Sequence, residues 1–226
     1  INQLVVRLKN NKNLKVKSVF SHLVASDNQE HDDFTRTQVK AFTAMSDHIL
    51  SHFDYKILRH ILNSSGISRF QDAQFDMVRL GIGLYGIGND AAEQQLLQNV
   101  STLKTSISQI KNVPANDTIG YNRNAIAKND MQVATIPIGY ADGLSRKLSG
   151  GKGKVIVKGK IVPIVGNVCM DMCMIDVTGI QVAEGDEVII FGEAHPIHQL
   201  AKDLDTIPYE VLTNVSRRVK RVYFQE

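Results

Sequence analysis

The chain has 226 residues, with 26 basic against 23 acidic side chains for a formal charge of +3, and 43% apolar against 22% charged residues. That composition excludes an intrinsically disordered chain, and so small and evenly spread a charge excludes a nucleic-acid-binding stripe. No apolar run reaches the ~18 residues of a membrane-spanning helix and no signal-peptide order opens the sequence, so no membrane partner and a cytoplasmic location are expected.

The chain starts at Ile1, with Leu4, Val5, Val6 and Leu8 following at once, as expected of a piece cut from a longer polypeptide. Residues 14–24 alternate and then become continuously apolar, which predicts a strand buried at one end. Asp32 or Asp33 is the expected cap of a helix whose apolar positions Phe42, Met45, Ile49 and Phe53 recur at spacings of three and four. Residues 55–62 read as the next strand, 63–69 as a turn with a short helix, and 75–85 as a third strand entering a glycine-punctuated loop. Repeated strand, helix, strand implies parallel strands joined by helical crossovers. Beyond a helix at 91–97 the texture changes to short β-rich runs at 131–138, 155–157, 161–165, 168–177 and 187–191, separated by turns such as Lys158-Gly159-Lys160. Pro196 to Leu204 suits a short helix, Pro208 suits the start of another, and 215–224 reads as a last strand. The expected class is α/β followed by mainly β.

Several motifs carry less than their pattern suggests. Gly81-Ile-Gly-Leu-Tyr-Gly86 satisfies the dinucleotide fingerprint, but the run is strand-like and the acid expected ~20 residues later is missing. Glycines admitting a phosphate and a tightly packed strand end are about equally compatible with it. His48 and His52 lack the glutamate of a His-Glu-x-x-His zinc helix and suit a solvated face. Cys169 and Cys173 are too far apart along an extended segment for a disulfide and too few for a zinc site. With Asp171 they read as one face of a packed strand. Ser21-His22, Asn63-Ser64 and Arg79 each close an expected strand, the edge at which parallel α/β sheets bind ligands.

These residues resemble one family over nearly the whole chain, the alanine racemases. The resemblance is carried by Ser21-His22-Leu-Val-Ala-Ser-Asp27, Leu62-Asn-Ser64, Asp76-Met-Val-Arg79-Leu-Gly-Ile82, Ile119-Gly-Tyr121, Ile136-Pro-Ile-Gly-Tyr140-Ala-Asp-Gly143, Pro163-Ile-Val-Gly-Asn-Val-Cys-Met170-Asp and Thr206-Ile-Pro-Tyr209-Glu. It implies a partial (β/α)8 TIM-type barrel over residues 1–97 and a C-terminal β domain over 98–226. It also implies pyridoxal 5′-phosphate as cofactor, L- and D-alanine as substrates, a role in making peptidoglycan precursors, and a homodimer whose active sites are shared between subunits.

By the same resemblance Tyr121 is the catalytic base for the α-proton of L-alanine. A phenol, with an ordinary pKa of ~10, needs neighbours that stabilise its anion. His22 resembles the imidazole that orients it, with Arg79 behind. The counterpart of Arg79 faces the pyridine nitrogen of the cofactor, which a guanidinium leaves unprotonated. Ser64, the backbone amides of Gly81 and Ile82, and the Tyr209 hydroxyl resemble the phosphate-binding set. Met170 resembles the residue whose amide meets the substrate carboxylate, and Asp27, Tyr140 and Arg146 match the entry corridor.

Two departures stand out. Gly166-Asn-Val-Cys-Met-Asp-Met172 has Asn167 where the family usually has a corridor arginine. No lysine of this chain occupies the family's cofactor-lysine motif, so that lysine, the substrate-binding arginine and the first barrel strands are expected upstream of Ile1, in a longer racemase or in a fusion with a cell-wall ligase. Racemisation needs acid and base on opposite faces of one carbon. The 226 residues alone are therefore expected to be inactive and not to hold the cofactor covalently. A related racemase for serine, or a non-catalytic dimerisation or ligand-binding module, is the alternative.

Overall fold

A computed structural model describes residues 1–224, in two compact units, Ile1–Val100 and Ser101–Glu226. In the first unit, helix α1 (Asn2–Asn10) occupies the opening apolar stretch but buries only Val5. Strand β1 (Ser18–Phe20) is much shorter than the alternation of 14–24 suggested. Helix α2 (Asp32–Leu50) follows a single 3-10 turn, Gln29–His31. Neither Asp32 nor Asp33 caps it. The Asn28 side chain caps the 3-10 turn by accepting from the Glu30 N–H at 3.0 Å, and the Asp32 carboxylate instead accepts from Arg69 at 2.6 Å. The buried face of α2 is Thr35, Phe42, Ser46 and Ile49, while Met45 is exposed and Phe53 lies beyond the helix end.

Strand β2 (Leu58–His60) pairs in parallel with β1, Ser18 opposite Leu58 and Phe20 opposite His60, with α2 as the crossover. Helix α3 (Ser64–Arg69) starts at Asn63, whose side-chain oxygen accepts from the Gly66 N–H at 3.0 Å. Leu23, Phe42, Ile61, Leu62, Phe70 and Ala73 form the core of this unit. The expected third strand at 75–85 does not form. Phe75 has φ +50°, and the Asp76 carboxylate takes the Arg59 N–H that a ladder carbonyl would need. The segment still follows β2 through Asp76 N–H to Arg59 O and Arg79 N–H to Leu62 O, then closes into a 3-10 turn over Ile82–Tyr85. Helix α4 (Ala91–Leu96) is capped by Asp90.

The second unit is built on β3 (Leu103–Ser106), β4 (Gln109–Val113), the small hairpin β5 (Thr118–Ile119) and β6 (Ala125–Ile126), and β7 (Met131–Ile136). It continues with β8 (Lys154–Val157), β9 (Lys160–Val165), β10 (Cys173–Asp176) and β11 (Glu187–Phe191). Apart from the hairpin these strands form one antiparallel sheet of seven, in the order β3-β11-β8-β9-β10-β7-β4. Ala134, Ile136, Val155, Val157, Ile164, Ile175, Val188 and Ile190 are fully buried in it, each larger side chain contributing about 1.5–3 kcal/mol by leaving water. Helices α5 (Ile197–Leu204) and α6 (Pro208–Asn214) start where Pro196 and Pro208 indicated.

Two β expectations fail here. Residues 168–172 are loop rather than strand, because the Cys169 and Met170 carbonyls accept from the Tyr140 and Ala141 N–H groups. Cys169, Asp171 and Cys173 therefore do not share a strand face; both thiols are free, and burial, with Cys169 nearby, pushes that of Cys173 up to about 12. The expected strand at 215–224 is irregular, since the Arg221 guanidinium folds back to donate to the carbonyls of Val215, Ser216 and Val219. Among the described residues no helix is long and apolar enough to cross a membrane.

His195, 3% exposed, follows β11, and its Nε2 has no hydrogen-bond partner. Burial holds its pKa below the ordinary 6.5, against the opposing pull of a Lys154 backbone bond and the Asp203 carboxylate. The unfolded chain thus takes up a proton near 6.5 that the folded chain refuses. This contribution to stability is fully present above that pH and is lost as pH falls below it. Thermal melts from pH 7.5 to 5.5 should show a falling midpoint, with a shallower slope in His195→Phe; equal slopes would contradict the assignment.

Candidate active site

In the first unit the ends of β1 and β2 converge on one guanidinium. Arg79 Nη2 donates to Ser21 O at 2.8 Å, to Ile61 O at 3.2 Å and to His22 Nδ1 at 3.3 Å; Nη1 donates to His60 Nδ1 at 2.7 Å. Because arginine has only donors, both imidazoles accept through Nδ1, and when neutral they carry their proton on Nε2. His22 is exposed, whereas His60 is 6% exposed and lies flat against Phe20, with ring centroids 5.2 Å apart. Burial first, then the Arg79 charge, lowers the His60 pKa. His60 did not stand out in the sequence; its signal was an imidazole in register with Phe20 at the same strand end as His22.

Ser64, 4% exposed, opens α3, and its hydroxyl oxygen accepts from the Gly81 N–H at 2.9 Å and the Gly83 N–H at 3.2 Å. The amides of the 81–83 turn thus converge on a single oxygen, and Ile82 is buried between them. Asn63 is held on its other side by the Ser26 hydroxyl, which donates to it at 2.8 Å. Asp27 lies exposed in the loop just after Ser26.

In the second unit Tyr121 opens a short turn after β5, its residue 74% exposed, and its carbonyl accepts from the Asn167 side chain at 3.1 Å. Tyr140 and Met170 stand on adjoining loops. Tyr140 N–H donates to Cys169 O and Ala141 N–H to Met170 O, both at 3.0 Å. The loops touch at Gly139, where a Cβ would lie 2.3 Å from Cys169 O, so any larger residue would force them apart. Arg146 begins the next turn, closed by the Ser149 hydroxyl donating to its carbonyl at 2.6 Å. The Ser149 oxygen also accepts from Val168 N–H at 3.0 Å. Tyr209 lies in the first turn of α6, half exposed.

One residue joins the Tyr140 and Met170 loops that motif reading passed over. Arg218 donates through Nε to Asp142 and through Nη2 to Asp171, both at 2.6 Å. The mostly buried Asp142 also accepts from the Gly139 N–H at 2.9 Å. Burial raises the Asp142 pKa, but the Arg218 and Gly139 hydrogen bonds together with the Arg218 charge outweigh it, and the net shift is downward. This ion pair therefore stabilises the fold above the ordinary carboxylate pKa of 3.8, and its contribution is lost as pH falls through the lowered folded value. In Arg218→Ala the Asp142 titration followed by NMR should move upward, and the amides of Tyr140 and Ala141 should exchange faster. An unmoved titration would show that Arg218 does not govern the loop. The sequence could not reveal the pairing, because 76 residues separate Arg218 from Asp142.

Among the described residues no group of three or more His, Cys, Asp or Glu is close enough to hold a metal ion. His48 and His52 pack edge to face, with His48 bonded to Asn2 and His52 to the His48 carbonyl, as a solvated helix end does.

Fold and site together define a barrel-type α/β segment, its polar groups gathered where parallel strands end, joined in one chain to an antiparallel β domain. The family model "Alanine racemase, N-terminal domain" matches residues 1–89, and "Alanine racemase, C-terminal domain" matches residues 100–223. Alanine racemase 2 of Caldanaerobacter subterraneus subsp. tengcongensis is 44% identical over 217 residues, covering 93% of this chain and 55% of that protein. A crystal structure of alanine racemase from D-cycloserine-producing Streptomyces lavendulae superposes with a TM-score of 0.91 at 30% identity, over all of this chain and 61% of that one. That of the Bartonella henselae alanine racemase, described as having covalently bound pyridoxal phosphate, gives 0.83 at 31% identity, over 99% and 62%. The chain belongs to the alanine racemase family. It spans a little over half the length of the curated relatives it matches.

Proposed function

We propose that this chain is the tyrosine-bearing portion of a pyridoxal 5′-phosphate-dependent racemase that interconverts L- and D-alanine for peptidoglycan precursors. The observation that carries the reading is the Arg79 centre, a guanidinium fixed by two strand-end carbonyls and two imidazoles. One cation so fully oriented at the strand ends suits a charge held for chemistry, besides tying the two strands together. The division into a barrel part at residues 1–97 and a β domain at 98–226 belongs to the same reading.

The residues suit the cofactor. The Gly81 and Gly83 amides already converge on the Ser64 oxygen in a cradle that a phosphate oxygen can share, and by the resemblance Ser64, Gly81 and Ile82, with the Tyr209 hydroxyl, would hold that group. Arg79 would face the ring nitrogen and, having no proton to release, leave it neutral. When bound, the cofactor supplies a conjugated ring that accepts the electron pair left as the α-proton departs. The remaining steps belong to side chains. Tyr121 takes that proton from L-alanine and, in the reverse direction, delivers one to the same face to form L-alanine. In the shared-site dimer, His22 of one subunit, its Nδ1 occupied by Arg79, offers its Nε2 proton to orient the phenol oxygen supplied by the other subunit. Met170 meets the substrate carboxylate through its amide. Asp27, Tyr140 and Arg146 line the entry.

No lysine of these residues matches the family's cofactor lysine, so the second base comes from other polypeptide, and the 226 residues alone neither racemise alanine nor retain the cofactor on dialysis. A homodimer that shares its sites and a cytoplasmic location follow from the same reading. The matched relatives are named for the racemase alone and lend no support to an upstream ligase. A mixing experiment tests the proposal. The chain is combined with a full-length racemase whose own catalytic tyrosine is substituted, and α-proton exchange is followed. Restored exchange in L-alanine is the expected result. Exchange in serine but not alanine would point to the sister activity, and none after verified co-assembly would point to an inert dimerisation module.

A further inference from the structure

The turn that presents Tyr121 is an unfavourable piece of backbone. Gly120 has φ +79°, and two residues with side chains, Asn122 at +59° and Arg123 at +51°, share the left-handed region. L-residues enter that region at a cost, and two in succession persist only where the surroundings hold them. The β5/β6 hairpin fixes the base through Ile119 opposite Ala125. The Arg123 N–H closes the turn on Gly120 O at 3.2 Å. The Arg123 side chain also reaches back, Nε donating to Thr118 Oγ1 at 3.4 Å, and a further support comes from a side chain more than forty residues away.

The Asn167 carboxamide grips the turn at both ends. Its Nδ2 donates to Tyr121 O at 3.1 Å, and its Oδ1 accepts from Asn124 Nδ2 at 2.8 Å. The two backbones approach closely enough for this, because both sides are glycine. A Cβ on Gly120 would lie 3.4 Å from the Asn167 nitrogen, and one on Gly166, itself at φ +66°, would lie 3.1 Å from Ile119 O. A carboxamide donates and accepts from one short planar group. Aspartate lacks the donor, and arginine, usual here in the family by the resemblance of the sequence, has five donors and no acceptor for Asn124.

We propose that Asn167 is a positioning residue that locks the Tyr121 turn, replacing the charge of a corridor arginine with a two-way hydrogen-bonded clamp. Its consequence for catalysis rests on the reading of Tyr121 as the proton-carrying group; the clamp itself does not. In the assembly with a tyrosine-substituted full-length racemase, substitution should lower kcat for alanine with KM unchanged, because Asn167 sets where the phenol stands rather than how substrate binds.

Protein labelled with 3-fluorotyrosine carries one fluorine reporter at each of its six tyrosines, and Tyr121→Phe identifies the one of interest. In Asn167→Ala the Tyr121 resonance should broaden and move toward that of free tyrosine, and the Arg123 amide should exchange about five- to ten-fold faster, the low end for the two hydrogen bonds lost at an exposed site. Asn124→Ala leaves the bond to Tyr121 in place and should give a smaller change in the same direction; it carries the test if Asn167→Ala does not fold. An unchanged Tyr121 resonance and Arg123 exchange would overturn the clamp. So would a change spread over all six tyrosines. A moved resonance with unaltered α-proton exchange in the mixed assembly would uphold the clamp and overturn its consequence for catalysis, whereas loss of the catalytic role of Tyr121 itself would show as unaltered exchange in Tyr121→Phe.

Discussion

Tyr121→Phe should cut exchange of the L-alanine α-proton in the mixed assembly about 10²- to 10⁴-fold, the range a positioned acid or base supplies. The change deletes one oxygen and leaves the ring. The residue is 74% exposed, and the contact that ties it to the rest of its unit is made by its backbone carbonyl, not by the phenol. Folding stability should therefore change by less than about 0.5 kcal/mol, as for other surface substitutions. That pairing of a large loss in exchange with an unmoved thermal midpoint separates a chemical role from a structural one. A variant that lost both together would mark Tyr121 as a packing residue.

Arg79→Leu should lose stability outright. It strands the carbonyls of Ser21 and Ile61 and removes the donor from the Nδ1 atoms of His22 and His60. Orphaned acceptors of this kind cost about 2–4 kcal/mol in total. The His60 titration provides a local readout. Burial remains in the variant but the repelling charge is gone, so its pKa should rise toward the ordinary value, and NMR of the imidazole would show it. Arg79→Lys keeps the charge and loses the fork, and should hold His60 down while still losing stability. An Arg79→Leu protein with an unmoved midpoint and an unmoved His60 would show that the guanidinium does not organise these strand ends.

What the sequence revealed, and what it hid, follows from the range over which each interaction acts. Local signals were legible: the turn and short helix at 63–69, Pro208 opening α6, and the β-rich run of β11 all act within a turn or a strand. Failures came where a distant or unexpected side chain claimed backbone groups. Asp76 took a ladder donor and left 75–85 without a strand, and Arg221 folded 215–224 upon itself. The loop at 168–172 bends because Tyr140 and Ala141 claim its carbonyls across the sheet. In the candidate site, His22, Ser64, Arg79 and Gly81 could be named because their motifs are contiguous. His60 and Arg218 could not, since each matters only through a partner brought near by folding.

The most direct test separates the two faces of the substrate carbon. In the assembly of this chain with a tyrosine-substituted racemase, L-alanine and D-alanine are each incubated in deuterated water and the retained α-proton is counted by NMR. With Tyr121 present both enantiomers should exchange. With Tyr121→Phe, L-alanine should keep its proton while D-alanine, addressed by the amine on the opposite face, still loses its own. Equal exchange from both enantiomers in the variant would contradict the assignment of Tyr121 to one face of the reaction.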